Sequence, residues 1–140
     1  MIQSINKVSE AEQLAYAFPE LRCTFGGRSI VADIAVLRWE HIQFDQQGKP
    51  LDDVVIPPDW MIEILSPNQS SNQVTGNILH ALKYGCQLGW LLDPDDRSIL
   101  VFLPQQQPEL QNNRDALIGL EGIPLTLTVE QFFGWLKMKK

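Results

Sequence analysis

A chain of 140 residues is long enough for one buried core and too short for two that would each stand alone. Its 44% hydrophobic and 20% charged residues are the make-up of a folding globular protein, which excludes an intrinsically disordered chain. A net charge of −6 argues against broad electrostatic attraction to phosphate, so any contact with nucleic acid has to come from a local patch.

In chain order, Ser9-Glu10-Ala11-Glu12 has the S-x-x-E pattern of a helix start, and Leu14, Ala15, Ala17 and Phe18 follow before Pro19. This predicts a short amphipathic helix ended by the proline. Gly26-Gly27 reads as a turn, and the β-branched and apolar stretch from Ser29 to Leu37 as a strand with Asp33 in its middle. His41 to Val55 is polar and reads as a surface loop. Pro57-Pro58 leads into a second strand, Asp59 to Leu65, stopped by Pro67. Ser70 and Ser71 can cap a helix running to about Tyr84, with Val74, Ile78, Ala81 and Leu82 at helical spacing and Gly85 at its end. Gln87 to Leu92 is a third strand, turned by Asp93-Pro94-Asp95-Asp96 into its hairpin partner, Ser98 to Leu103. A glutamine-rich loop follows from Pro104 to Pro108. One more short strand is predicted over Ile123 to Leu127, before a T-x-x-Q cap at Thr128 to Gln131 opens a last helix to about Lys137. That helix would turn Phe132, Phe133, Trp135 and Leu136 mainly toward the core.

No apolar run approaches the length of a membrane span, and the first residues lack the basic start and apolar stretch of a signal peptide. The expected location is the cytoplasm. Cys23 and Cys86 fall in no metal or redox spacing and read as two buried thiols.

Side chains alternate along strands. Val31, Asp33, Ala35 and Leu37 would then share one face, and Asp59, Met61, Glu63 and Leu65 another, leaving Asp33 and Glu63 among apolar neighbours. A carboxylate in such surroundings costs several kcal/mol unless it is paired, protonated or bound to a cation. Two explanations stand side by side. Carboxylate oxygens suit a hard divalent cation such as magnesium or manganese. Alternatively, each acid pairs with a nearby group, for which Arg22, Arg28 and Arg38 are candidates.

The stretch Phe18 to Val36, with Phe25-Gly26-Gly27-Arg28-Ser29-Ile30-Val31-Ala32-Asp33-Ile34-Ala35-Val36 at its centre, resembles the Uma-two family of putative restriction endonucleases, a large family in cyanobacteria. So do Pro58-Asp59-Trp60-Met61-Ile62-Glu63-Ile64-Leu65-Ser66-Pro67, Leu88-Gly89-Trp90-Leu91-Leu92-Asp93-Pro94 and the closing Leu127 to Leu136. The resemblance spans nearly the whole chain as a single domain. It implies an α/β fold of the restriction-endonuclease-like kind, a mixed β-sheet flanked by helices, within the PD-(D/E)xK nuclease superfamily. It also implies that Asp33 and Glu63 hold magnesium (or manganese) for hydrolysis of DNA phosphodiester bonds. Asp33 matches the aspartate of the family's P-D motif, with Ala32 in place of the proline, and Glu63 matches the second acid.

The chain departs from that pattern in two places. The superfamily's lysine would stand at Leu65, and the family's alternative in the next helix at Gly76 or Asn77, so no lysine is present at either. Loss of one such transition-state stabiliser costs roughly 10²–10³-fold in rate. His80, about one helical turn beyond Gly76, is the candidate substitute, and Lys83 lies along the same face. The second departure is an N-terminal helix and strand hairpin that family members carry before the point where this sequence begins. Glu10 or Glu12 would have to replace a glutamate from that segment, and apolar surface left uncovered would favour a homodimer. Two readings stay open: a metal-dependent endonuclease using Asp33, Glu63 and His80, and a catalytically degenerate relative kept as a binding or dimerisation module.

Overall fold

The structure is a computed structural model describing residues 1–10 and 12–138, without the side chains of Ser4, Val8 and residues 135–138. A six-stranded mixed sheet forms its centre. Three helices are present among these residues, α1 (Ile2–Ser9), α2 (Ser71–Lys83) and α3 (Val129–Met138). The strands are β1 (Ala15–Pro19), β2 (Arg22–Phe25), β3 (Arg28–Val31), β4 (Ile34–Arg38), β5 (Asp53–Val54), β6 (Trp60–Ile64), β7 (Leu88–Asp93), β8 (Ser98–Phe102) and β9 (Glu109–Asn112).

The large sheet has the order β1-β4-β6-β7-β8-β9, and a small sheet the order β3-β2-β5. Only β6 and β7 run parallel in the large sheet, and α2 makes the crossover between them. Ser70 caps α2 by accepting from the Gln73 amide at 3.4 Å. The helix lies so close to β7 that a Cβ on Gly89 would collide with Ile78, so this position has no room for a side chain. The Asp93 turn forms as expected, with the Asp96 amide donating to Asp93 Oδ1 at 3.2 Å, and β8 returns as the partner of β7.

Each face of the large sheet is covered. On one, Ile34, Val36, Trp60, Ile62 and Trp90 pack against α1 and against Phe132 and Phe133 of α3. On the other, Ala35, Leu37, Met61 and Leu91 meet Val74, Ile78 and Ala81 of α2 and Cys23, Phe25 and Ile30 of the small sheet. Thr128 and Gln131 close the predicted capping box at α3, exchanging side-chain and amide bonds of 2.9 and 3.2 Å. Both thiols are buried, and burial pushes each up to about 12.

Four sequence expectations are corrected. The opening helix occupies Ile2–Ser9, ahead of the predicted segment, and Ala15–Pro19 is a strand. Ser9 donates its hydroxyl back to the Ile5 carbonyl at 2.5 Å instead of capping a new helix. Alternation decides the rest, since Ala15 and Ala17 are fully buried while Tyr16 and Phe18 are not. Pro19 suits its place on an edge strand, which tolerates a missing N–H. The predicted strand from Ser29 to Leu37 is two strands in two sheets, parted at Ala32-Asp33. The side-chain phase changes there, so Ile30 and Ala32 face the same core as Ala35 and Leu37, and Asp33 is exposed. The predicted surface loop between His41 and Val55 includes a short strand, Asp53–Val54, running parallel to β2. Finally, Ile123 to Leu127 forms no strand, because Pro124 cannot donate to a ladder. A single bridge, Ala116 to Thr128, stands nearby, and the sixth strand of the large sheet is instead Glu109–Asn112.

Candidate active site

β4 and β6 are antiparallel neighbours, with Ile34 opposite Ile62, which carries Asp33 and Glu63 to the same end of the ladder. There the side chains take over from main-chain carbonyls. The Asp33 amide donates to Glu63 Oε1 at 2.8 Å, and the Ile64 amide donates to Asp33 Oδ2 at 2.7 Å. This exchange locks both carboxylates to the strand ends. No described hydrogen bond takes Asp33 Oδ1 or Glu63 Oε2.

The two acids differ in exposure. Asp33 lies open to solvent, while Glu63 is only 6% exposed. Burial pushes the Glu63 carboxyl up to about 7; the bond from the Asp33 amide opposes this, and the Asp33 charge adds to it. None of the three candidate arginines pairs with either acid. Arg28 donates to Asn77 Oδ1 at 2.7 Å, and Arg38 donates to Gln87 Oε1 and to the Glu121 carbonyl. Arg22 is exposed, and among the described residues no arginine comes within 4.0 Å of a carboxylate.

His80 sits on the side of α2 that meets the β2–β3 hairpin. Its Nε2 donates to the Phe25 carbonyl at 3.1 Å, and its ring stacks on Phe25 at 5.1 Å. The structure therefore brings Asp33 and Glu63 together and ties His80 to the hairpin, with no described hydrogen bond from it to either acid. Lys83 lies 5.8 Å from the centre of the Tyr84 ring, and Glu10 caps the C-terminal end of α1. A Cβ at Gly76 would meet only open space. Asp59 sits at the far end of β6 from Glu63, where its carboxylate takes the Arg38 amide and His41 Nδ1.

Two features went unnoticed in the sequence. The Arg28–Asn77 bond joins positions 49 apart, and only the shared parity of Arg28 and buried Ile30 along β3 hints at it. The His41–Asp59 pair left no signal, because His41 follows β4 in a short 3-10 turn whose direction no local pattern sets. Beyond the end of β6 runs a groove of about 450 Å³, lined by Leu65, Ser66 and Gln69 on one side and by Asp93, Asp95 and Asp96 on the other. Its three aspartates make it a poor place for phosphate.

Comparison with known proteins adds to this geometry. No curated protein is similar to the chain. A family model described as "Uma2: Putative restriction endonuclease" matches residues 1–130. Among solved structures, that of "a putative nuclease belonging to DUF820" from Anabaena variabilis superposes with a TM-score of 0.88 at 45% identity, over 96% of this chain and 76% of that one. The mixed sheet is thus that of a nuclease-like fold, and the chain belongs to the Uma2 family.

Proposed function

We propose that the protein is a divalent-metal-dependent endonuclease that hydrolyses DNA phosphodiester bonds at Asp33 and Glu63. The observation that carries this reading is the pair of carboxylates fixed side by side at the ends of β4 and β6, with no described cation beside them. Their chemistry fits magnesium or manganese, since each keeps one oxygen without a described hydrogen bond and hard cations take carboxylate oxygen and complete their shell with water. Among the described residues no group of three potential ligands gathers, so the site offers two protein carboxylates.

Asp33 and Glu63 would hold a divalent cation there, which would supply an acidified water and positive charge for phosphodiester hydrolysis. The chain's own part is orientation. Backbone amides hold Asp33 Oδ2 and Glu63 Oε1, so neither carboxylate has to reorganise. Asp33 Oδ1 and Glu63 Oε2, the oxygens without a described hydrogen bond, are the ones that would hold the cation. The same reading places the protein in the cytoplasm. It also makes it a homodimer through the apolar flank marked by Leu79 and Leu110, each more than half exposed.

Titration calorimetry with manganese, alongside Asp33→Asn, tests the reading. Binding lost in the variant, together with manganese-dependent nicking of supercoiled plasmid by the unaltered protein, is the expected result. A second reading has its own support: both acids already satisfy backbone donors, a sufficient structural task for a degenerate site. No manganese binding and no nicking would leave that second reading in place.

A further inference from the structure

The β2–β3 hairpin is fastened along one side of α2. Arg28 bonds Asn77, Phe25 bonds and stacks on His80, and Tyr84 fits against Gly26 and the edge of Phe25 at 6.2 Å. Two other arginines are engaged structurally. Arg38 uses Nε and Nη2 on Gln87 and Nη1 on Glu121, and Arg97 covers the Phe133 ring at 5.8 Å.

Arg28 combines three features. It is exposed, its described partner is a neutral amide oxygen, and no described carboxylate lies within 4.0 Å of it. Its positive charge is therefore not cancelled by its anchor, and the rest of the guanidinium fork stays open to a second acceptor. Strand parity fixes where that fork lies. Arg28 shares a side of β3 with Ile30, which is buried, and not with exposed Val31. Ala32 continues this inner side into the core, and the next residue, Asp33, turns outward to solvent, while the groove beyond β6 is lined by aspartates.

We propose that Arg28, held by Asn77, receives a backbone phosphate of duplex DNA beside the hairpin that runs on into Asp33, with Asn77 as its positioning residue. Resting on the nuclease reading for its choice of DNA, the proposal explains how a chain of net charge −6 presents a local cation to a polyanion. A guanidinium with free N–H groups suits two phosphate oxygens.

The test is fluorescence anisotropy of a short labelled DNA duplex in calcium, across roughly 50–200 mM salt. Each phosphate contact contributes a slope of about −0.9 to the dependence of log K on log salt. Arg28→Gln should therefore flatten the slope by about 0.9, and Arg28→Lys should retain most of it. Asn77→Asp should act like the glutamine variant, since the new carboxylate would pair with the guanidinium. Arg97→Gln should leave the slope unchanged. An unchanged slope in Arg28→Gln, or no binding by the unaltered protein, overturns the proposal, and manganese-dependent nicking would then leave the nuclease reading standing. Conversely, an Arg28-dependent slope in a protein that cleaves nothing keeps the phosphate contact and removes the nuclease.

Discussion

His41 Nδ1 lies 2.9 and 2.8 Å from the two oxygens of Asp59, a carboxylate that is itself only 4% exposed. Together with the Arg38 amide at 2.7 Å, the imidazole satisfies an acid at the point where β6 begins beside the end of β4. Removing it in His41→Ala leaves a buried carboxylate with one described donor. Because His41 is partly open to water, the expected loss is about 1–3 kcal/mol, read as a lower urea midpoint. An unchanged midpoint would mean that water replaces the imidazole at no net cost.

Glu63 makes stability depend on pH in a direction opposite to that of an ordinary salt-bridged acid. Its folded pKa, about 7, lies above the ordinary value of 4.5. The folded state thus binds the proton more tightly than the unfolded state, and this contribution is complete below 4.5 and fades as pH rises through 7. In that window the metal-free protein should lose up to about 1.4 kcal/mol per pH unit from this group. Glu63→Gln should flatten the profile of melting temperature against pH, and a profile unaltered by that substitution would show that Glu63 titrates normally.

The same protonation opposes cation binding. Manganese has to displace the proton from Glu63, so its affinity should rise between pH 6 and 8, by up to about tenfold per unit below the folded pKa of about 7. Calorimetry in buffers of different ionisation enthalpy should show proton release on binding. Binding that is independent of pH would place the ion away from Glu63.

Trp60 and Trp90 touch edge to face at 4.8 Å, but their indole N–H groups fare differently. Trp90 donates to the Ile118 carbonyl at 2.9 Å, whereas Trp60 Nε1 is buried with no described partner. Trp90→Phe should therefore cost about 1–3 kcal/mol more than Trp60→Phe, since it strands a carbonyl while the other change removes an unsatisfied donor. Equal losses in denaturant titrations would indicate that Trp60 finds a partner in solution.

Gly26 has φ +56°, and a Cβ there would run into the Tyr84 ring. Gly26→Ala should destabilise the protein by about 1–3 kcal/mol through backbone strain alone, with more from displacement of the ring. A paired Tyr84→Ala should recover the steric part and leave the backbone part. Thermal melts of the single and double variants distinguish the two.

Local chemistry makes the centre of the fold legible in the sequence. The Ser70 cap and helical spacing mark α2, the Asp93 turn marks the β7–β8 hairpin, and Thr128-x-x-Gln131 marks α3, each signal lying within a few residues of its effect. What escapes a local pattern depends on pairings distant in sequence. The change of sheet at Ala32-Asp33 looks like continuous strand because both halves are apolar, and β9 looks polar because it is an edge. The two acids are visible as a pair that needs explanation, and the structure places them together. Their reciprocal grip on backbone amides is not visible, since it depends on the antiparallel register of β4 and β6.

The chain's passage from small sheet to large sheet has a mechanical corollary. Val31 ends one sheet and Ile34 begins the other, so the two residues between them form the joint between hairpin and large sheet. Asp33 is one of them, and its amide is bonded to Glu63. The hairpin is thereby tied at its root to the link between the two acids. Contacts from Phe25, Gly26 and Arg28 to His80, Tyr84 and Asn77 brace that joint from the side of α2.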